Sequence, residues 1–189
     1  NWVEAQLQLD KRNFSYMPLR QFCEPLHRLI ELRNVLGLRS PVHTLARMLN
    51  PLKAPYSFQS IFHPPYALTH LYASALLQQP NMVVFKGEGG EIERKADASC
   101  MVRGIRCGVV YEEEWPRLLQ GRQDAPEKLD ADDLLAVWRG ETKNDYAQAA
   151  ICGTLAICLV SLGLATTQAE ATQLAQQWWE NRALNWICT

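Results

Sequence analysis

The chain has 189 residues, with 19 Lys and Arg against 20 Asp and Glu, so its formal net charge is −1. Hydrophobic residues make up 48% of the sequence and charged residues 21%, and Gly and Pro number ten each. These proportions exclude a disordered or collagen-like chain. The near-neutral total excludes a strong overall attraction to nucleic acid or to an anionic membrane. The length suits a single domain over residues 1–189, which is large enough to bury a core.

The N-terminal quarter of the chain predicts two helices. Apolar residues recur at helical spacing over residues 22–36, and Gly37 is suited to end this helix in a left-handed turn. Ser40 and Pro41 then predict the start of a second helix, with Ser40 as its N-cap, which ends before residue 50.

The middle of the chain predicts a strand, a helix and a strand. Residues 57–61 form the first strand, residues 64–79 the helix and residues 82–85 a buried second strand. This order favours a parallel sheet with a crossover helix. Residues 100–111 predict two further strands, or one strand bent at Gly104. Four residues of the helix are expected to face inward: Leu68, Leu71, Tyr72 and Ala75.

The C-terminal third of the chain predicts helices over residues 130–139, 144–162 and 167–182, the first two followed by Gly140 and Gly163. Within the second, the apolar run over residues 149–164 is too short to span a bilayer, so we predict a buried helix and no membrane partner. The fold class is therefore α/β, with a mainly parallel sheet flanked by helices.

Two groups of residues bear on the setting of the protein. None of the six cysteines forms a C-x-x-C pair, and the four histidines do not complete a zinc spacing, so we expect reduced cysteines and a cytoplasmic protein. We predict no signal peptide, and because the first residue is Asn1 we expect a part of a longer product. Three tryptophans either cover a helix-packing seam, which we favour, or stack on bases: Trp178, Trp179 and Trp186.

Charge is unevenly distributed along the sequence. Residues 11–53 contain eight Lys and Arg against two acids, whereas residues 112–145 contain ten acids against five bases. Two interpretations stay open: the chain has two solvated faces of opposite sign, or the basic N-terminal part faces an anionic ligand.

Basic residues of the two N-terminal helices are candidates for anion binding. Arg33 falls on the apolar stripe of the first helix, where a guanidinium must find a carboxylate or phosphate or extend to a rim. Arg39, His43 and Arg47 surround the start of the second helix, whose backbone N–H groups favour anions. A plain polar outer face is the alternative.

A glycine-rich segment, K-G-E-G-G-E, directly follows the second predicted strand. Ligands of parallel sheets bind at the carboxyl ends of strands, and glycines let the backbone approach them closely. The spacing is neither that of a P-loop nor that of a dinucleotide fingerprint, and a glycine turn with solvated acids is equally ordinary. The candidate anion-binding residues here are Lys86, Gly87, Gly89 and Gly90. The carboxylates that could hold Mg²⁺ are Glu88, Glu91 and Glu93.

Taken in order, these segments resemble the catalytic α/β domain of the anthranilate phosphoribosyltransferase superfamily, also called glycosyltransferase family 3. Residues 31–51 are similar to the family's R-x-x-L-G-x-R-T stretch and the helix after it, and residues 83–93 to its strand and H-G-x-D-G-x-D-E loop. Residues 144–182 are similar to its C-terminal helix pair. The resemblance implies pentosyl transfer from phosphoribosyl diphosphate, with Mg²⁺, in a homodimeric full-length protein. It also makes Arg33 and Arg39 substrate-side arginines.

The sequence departs from this family at several positions. The diphosphate-binding loop G-T-G-G-D and the N-terminal helical domain have no counterpart here, and the metal-binding Asp-Glu pair appears as Ile92-Glu93, which leaves Glu91 and Glu93 as candidate ligands. The family's Asn is His43, and its Gly-Pro is Ala46-Arg47. These features are closest to the YbiB-like branch, for which nucleic-acid binding has been proposed. The resemblance thus leaves two functions, a transferase and a module that binds nucleic-acid phosphates, and identifies no catalytic residue.

Overall fold

The computed structural model of the protein describes residues 1–38, 40–121 and 130–184. Contacts between residues divide the chain into two units, residues 1–49 and 50–189. That the two units form the single α/β domain predicted over residues 1–189 stays a prediction.

The first unit consists of short helices with little core. Of its described residues only Ala5 is buried, and Trp2 packs edge-on against Phe22 with ring centroids 6.2 Å apart. The helices are α1 (Trp2–Arg12), α2 (Leu19–Phe22), α3 (Glu24–Glu31), α4 (Arg33–Leu36) and α5 (Val42–Ala46).

The single helix predicted over residues 22–36 is wrong, because the chain forms three short helices there. Cys23 is non-helical, with φ −149° and ψ 73°, and Pro25 lies in the first turn of α3. Proline lacks a backbone N–H and clashes with the preceding turn, so it suits a helix start and breaks a helix interior. The prediction for Gly37 is confirmed, since it ends α4 with φ 70°.

The predicted N-cap at Ser40 is also wrong. Helix α5 begins at Val42 with Pro41 as its N-cap, and the Ser40 hydroxyl makes no hydrogen bond. The Ser40 N–H instead donates to Nδ1 of His43 at 3.3 Å. No side chain caps this helix, which ends at Ala46.

The second unit is a four-stranded mixed sheet between helices, in the strand order β1-β2-β3-β4. Strands β1 and β2 are parallel, whereas β2–β3 and β3–β4 are antiparallel. The elements in chain order are β1 (Tyr56–Ile61), α6 (Tyr66–Leu76), β2 (Asn81–Lys86), β3 (Cys100–Arg106), β4 (Val109–Trp115), α7 (Ala131–Arg139), α8 (Asp145–Ser161) and α9 (Gln168–Glu180).

The α/β class and the crossover helix are confirmed, but the mainly parallel sheet is wrong. The cause is the two-residue turn at Cys107 and Gly108, with φ 49° and 81°, which forces β3 and β4 into an antiparallel hairpin. Gly104 lies inside β3, not at a bend. A Cβ at Gly104 would lie 2.5 Å from the Met82 carbonyl and 2.6 Å from the Tyr111 ring, so glycine lets that ring cover the strand.

The core lies on both faces of the sheet, because β2 is buried on both sides. Val83 and Phe85 pack with α8 and α9, and Met82 and Val84 pack with α6. Such a strand stands in the sequence as a continuous apolar run, which makes it predictable.

The predicted inward face of α6 is wrong except for Leu71. Leu68 and Tyr72 are 45% and 64% exposed, and Ala75 is exposed. An apolar helix without charged residues gives no pattern that separates its faces. The buried residues are Ala67, His70, Leu71 and Ser74.

The C-terminal helices are confirmed. Gly140 ends α7 with φ 75°, and α8 is buried along most of its second half. Trp179 is 8% exposed and packs against Trp138 at 6.0 Å, as a packing seam requires. Trp178 is 48% exposed, and Trp186 lies outside the described residues.

Two further predictions concern cysteines and membranes. The five cysteines within the described ranges are free thiols, and Cys188 lies beyond them. Across the described helices, none has the length and apolar character needed to cross a bilayer.

Candidate functional site

The glycine turn, residues 86–91, follows β2 at the carboxyl end of the parallel β1–β2 pair. Lys86 is the last residue of β2, pairs in register with Ile61 and is exposed. A short 3-10 turn over Glu88–Gly90 comes next, with φ 58° at Gly89 and 85° at Gly90. Such angles favour glycine because they strain residues that carry a Cβ. The segment thus presents a lysine and, at the exposed Gly89, bare backbone at the edge where parallel sheets bind ligands.

The base of the glycine turn is held by the neighbouring strand. The Ser60 hydroxyl of β1 donates to the Glu91 carbonyl at 2.5 Å. Gly87 N–H donates to the Ile61 carbonyl at 3.2 Å, and Gly87 forms an antiparallel bridge with Arg94. A Cβ on Gly87 would overlap the Glu91 carbonyl, so only glycine fits this position.

The candidate metal ligands Glu91 and Glu93 are both exposed. Mg²⁺ commonly binds one or two carboxylates together with substrate phosphates, and this pair suits that mode. In the part of the chain that is described, no group of three or more His, Cys, Asp and Glu side chains could hold a metal ion. The Mg²⁺ site therefore stays a prediction.

The candidate residues of the first unit differ in exposure. Arg33 is exposed on α4, so the argument from a buried apolar stripe does not hold for it. His43 and Arg47 are half-buried at α5, and Arg39 lies outside the described residues. These residues belong to the first unit and the glycine turn to the second, and the role of each in anion binding stays a prediction.

Sequence reasoning missed the groups that hold the glycine turn. Ser60 could have been found, because neighbouring parallel strands end at the same edge of a sheet and Ser60 lies near the end of β1. Arg94 is 1% exposed, and its N–H donates to Thr154 Oγ1 at 2.9 Å across a separation of 60 residues. No spacing rule reaches that far.

Comparisons with known proteins give three distant relatives, and no family profile matches the chain. An uncharacterized protein of Aquifex aeolicus (strain VF5) is 32% identical over 101 residues, which is 53% of this chain and 32% of that protein. The uncharacterized protein YbiB of Escherichia coli (strain K12) is 34% identical over 65 residues, which is 33% of this chain and 20% of that protein.

The third relative is the anthranilate phosphoribosyltransferase of Verminephrobacter eiseniae (strain EF01-2). It is 25% identical over 154 residues, which is 77% of this chain and 44% of that protein. The matched parts span 32%, 20% and 44% of the three relatives' own lengths. The chain is therefore distantly similar to a phosphoribosyltransferase and to YbiB.

Proposed function

We propose that this protein is related to the glycosyltransferase family 3 phosphoribosyltransferases and that its glycine turn binds a phosphate group. The observation that carries the proposal is the turn itself: an exposed Lys86 followed by two left-handed glycines at the carboxyl end of a parallel strand pair. The distant similarity to a phosphoribosyltransferase supports the same assignment.

The chemistry of the proposed site is anion binding. An ammonium group and closely approaching backbone recognise phosphate oxygens through charge and hydrogen bonds. If Mg²⁺ binds with the phosphate, Glu91 and Glu93 would hold it, and the ion would neutralise phosphate charge. Catalysis of phosphoribosyl transfer needs several converging donors, and the family's G-T-G-G-D loop is not in this sequence. We therefore propose that this chain binds phosphate without catalysing transfer.

The proposal is tested by calorimetric titration with inorganic phosphate and with phosphoribosyl diphosphate, each with and without Mg²⁺. We expect Lys86→Ala to weaken phosphate binding by about tenfold, because a charge-assisted hydrogen bond contributes roughly 1.5–3 kcal/mol. Lys143→Ala is the matched control, an exposed lysine between α7 and α8, and should bind as the wild type does.

Two results would contradict this function. Equal phosphate binding by the Lys86→Ala and Lys143→Ala variants would exclude the glycine turn as the site. Phosphoribosyl transfer to anthranilate by the wild-type chain would show that the missing loop is dispensable.

A second candidate function is nucleic-acid binding, which we infer from cations of the first unit. Lys11, Arg20 and Arg33 are exposed, and within the described residues they make no ion pair or side-chain hydrogen bond. Cations without a local acid are available to phosphates of a nucleic-acid backbone. The similarity to YbiB is compatible with this candidate, because nucleic-acid binding has been proposed for the YbiB-like branch that the sequence resembles.

A further inference from the structure

We propose that Arg94 is a positioning residue that holds the glycine turn in the shape that binds phosphate. This inference rests on the proposed function for its ligand, although the effect of Arg94 on the turn can be measured without one. Arg94 itself is only 1% exposed and does not reach a ligand.

The glycine turn belongs to a closed loop, residues 87–94, whose two ends meet. Gly87 and Arg94 are bridged backbone to backbone, and the Ser60 hydroxyl ties the Glu91 carbonyl to β1 from inside the loop. The position of Arg94 therefore fixes one end of the loop that contains both left-handed glycines.

Arg94 is anchored to α8 through its backbone N–H. Its N–H donates to Thr154 Oγ1 at 2.9 Å, and that hydroxyl donates to the Ala150 carbonyl at 2.7 Å within α8. Gly153, one residue earlier, leaves room for the arginine, since a Cβ there would lie 3.2 Å from Arg94 Cδ.

The side chain of Arg94 contacts the end of β4. The guanidinium lies over the Trp115 ring, with Cζ 5.4 Å from the ring centroid, and Nη2 donates to the Pro116 carbonyl. Arg94 thus connects the loop to both the sheet and α8.

A buried guanidinium without an ion-pair partner is costly, because the charge loses its hydration. Burial lowers the pKa of the Arg94 guanidinium, and within the described residues no carboxylate forms an ion pair with it. Apolar residues of similar volume are often as stabilising as buried charges, so stability alone gives little reason for an arginine here. The guanidinium is a directional hydrogen-bond donor that fixes the loop, and this does give a reason for an arginine, because binding groups must be held in place before the ligand arrives.

The experiment compares Arg94→Met with Arg182→Met in the full chain. Arg182 is a half-buried arginine of the second unit, and it donates to carbonyls of α7 and α9 rather than to the loop. Two quantities are measured below the unfolding transition of each variant. The first is exchange of the Gly90 amide without ligand, by NMR, since Gly90 is buried and its N–H donates to the Gly87 carbonyl at 3.2 Å. The second is affinity for inorganic phosphate.

We expect Arg94→Met to speed exchange of the Gly90 amide by about tenfold and to weaken phosphate binding by about tenfold, as loss of one buried anchoring hydrogen bond implies. Arg182→Met should lower the unfolding midpoint and leave both quantities at wild-type values. Thr154→Val removes the acceptor for the Arg94 N–H together with the hydroxyl's own bond to the Ala150 carbonyl, and it should shift both quantities in the same direction by about threefold. Thr154→Ser keeps the hydroxyl and should leave both quantities at wild-type values.

The Thr154 pair carries the test if Arg94→Met does not fold. Two results would overturn the positioning role. One is an equal change of exchange and affinity in the Arg94→Met and Arg182→Met variants, and the other is no change of either in Thr154→Val. Faster glycine exchange in Arg94→Met, in a protein that binds no phosphate, would support the positioning role and reject the proposed function.

Discussion

Arg182 joins two helices through a single side chain. Its Nε and Nη2 donate to the Trp138 and Val137 carbonyls at 2.8 and 3.2 Å, at the end of α7, and its Nη1 donates to the Trp179 carbonyl at 2.6 Å. The guanidinium also lies 3.7 Å from the Trp179 ring centroid. A cation at helix carbonyls that have no partner within the helix satisfies them and interacts favourably with the helix dipole.

We predict that Arg182→Met lowers the free energy of unfolding by about 2–3 kcal/mol, because carbonyls lose charged donors and the tryptophan loses its cation. Urea denaturation monitored by tryptophan fluorescence measures the change. Arg117→Met, at an exposed arginine with no hydrogen bond or ion pair within the described residues, should change the same free energy by less than about 0.5 kcal/mol. Similar losses in both variants would show that Arg182 is not a specific link.

At the scale of single elements, α9 has a side-chain cap that responds to pH. The Thr167 hydroxyl accepts from the Glu170 N–H at 3.1 Å, and the Glu170 carboxylate accepts from the N–H and hydroxyl of Thr166, both at 2.8 Å. These hydrogen bonds, first of all the one from the Thr166 backbone, lower the pKa of Glu170 from its usual 4.5. The charged form is therefore favoured in the folded protein.

We predict that Glu170→Gln flattens the acid limb of the stability profile. A lowered pKa in the folded state stabilises the protein above about pH 4.5, and that contribution is lost as the pH falls through the lower folded-state pKa. Thermal unfolding from pH 7 to pH 2.5 should show a smaller acid-dependent decrease in the variant. Glu180→Gln, at the other end of α9, is the control, and an acid limb equal to wild type in Glu170→Gln would refute the prediction.

Elements with local caps could be predicted from the sequence, and faces and strand directions could not. Asp130, Asn144 and Thr167 each cap a helix with their own side chains, so a few neighbouring residues contain the whole signal. The buried face of α6 depends on Gln59, whose Oε1 accepts a hydrogen bond from Nδ1 of His70 at 2.8 Å. That partner lies on β1, and only the folded chain brings it there.

At the scale of the whole molecule, the two units differ in charge. Residues 1–49 contain seven Lys and Arg against four Asp and Glu, whereas the complete chain has a formal charge of −1. The basic excess is therefore a local property of the first unit, and a nucleic acid would meet it there rather than on the acidic remainder.

We predict that Arg33→Ala with Arg47→Ala weakens nucleic-acid binding equally for unrelated sequences. The slope of log affinity against log salt should fall by about 0.9 for each duplex phosphate that the variant no longer neutralises, since each neutralised phosphate releases a counterion. Gel shifts or fluorescence anisotropy at salt concentrations from about 50 to 200 mM measure this. Arg28→Ala is the control, because Arg28 pairs with Glu24 at 2.6 Å. A strong sequence preference, or an equal effect of the control, would count against phosphate binding by the first unit.

The candidate site was predictable only where its signal is local. Glycines after a buried strand are visible in the sequence, and Gly89 and Gly90 do adopt left-handed angles. The exposure of Arg33 was not predictable, because the stripe assumed one continuous helix, whereas α3 ends at Glu31 and Arg33 begins the separate helix α4. Arg94 was not predictable because its partners lie on β4 and α8.

The closed glycine loop also bears on the order in which the second unit folds. The β3–β4 hairpin pairs Arg106 with Val109 across a two-residue turn, and such hairpins form in about 1–10 μs. The links that shape the loop connect residues 31 and 60 positions apart, Ser60 to Glu91 and Arg94 to Thr154. Long-range contacts must overcome loop-closure entropy before they stabilise anything. We therefore predict that the hairpin forms early and that the glycine turn acquires its shape only after the C-terminal helices have docked.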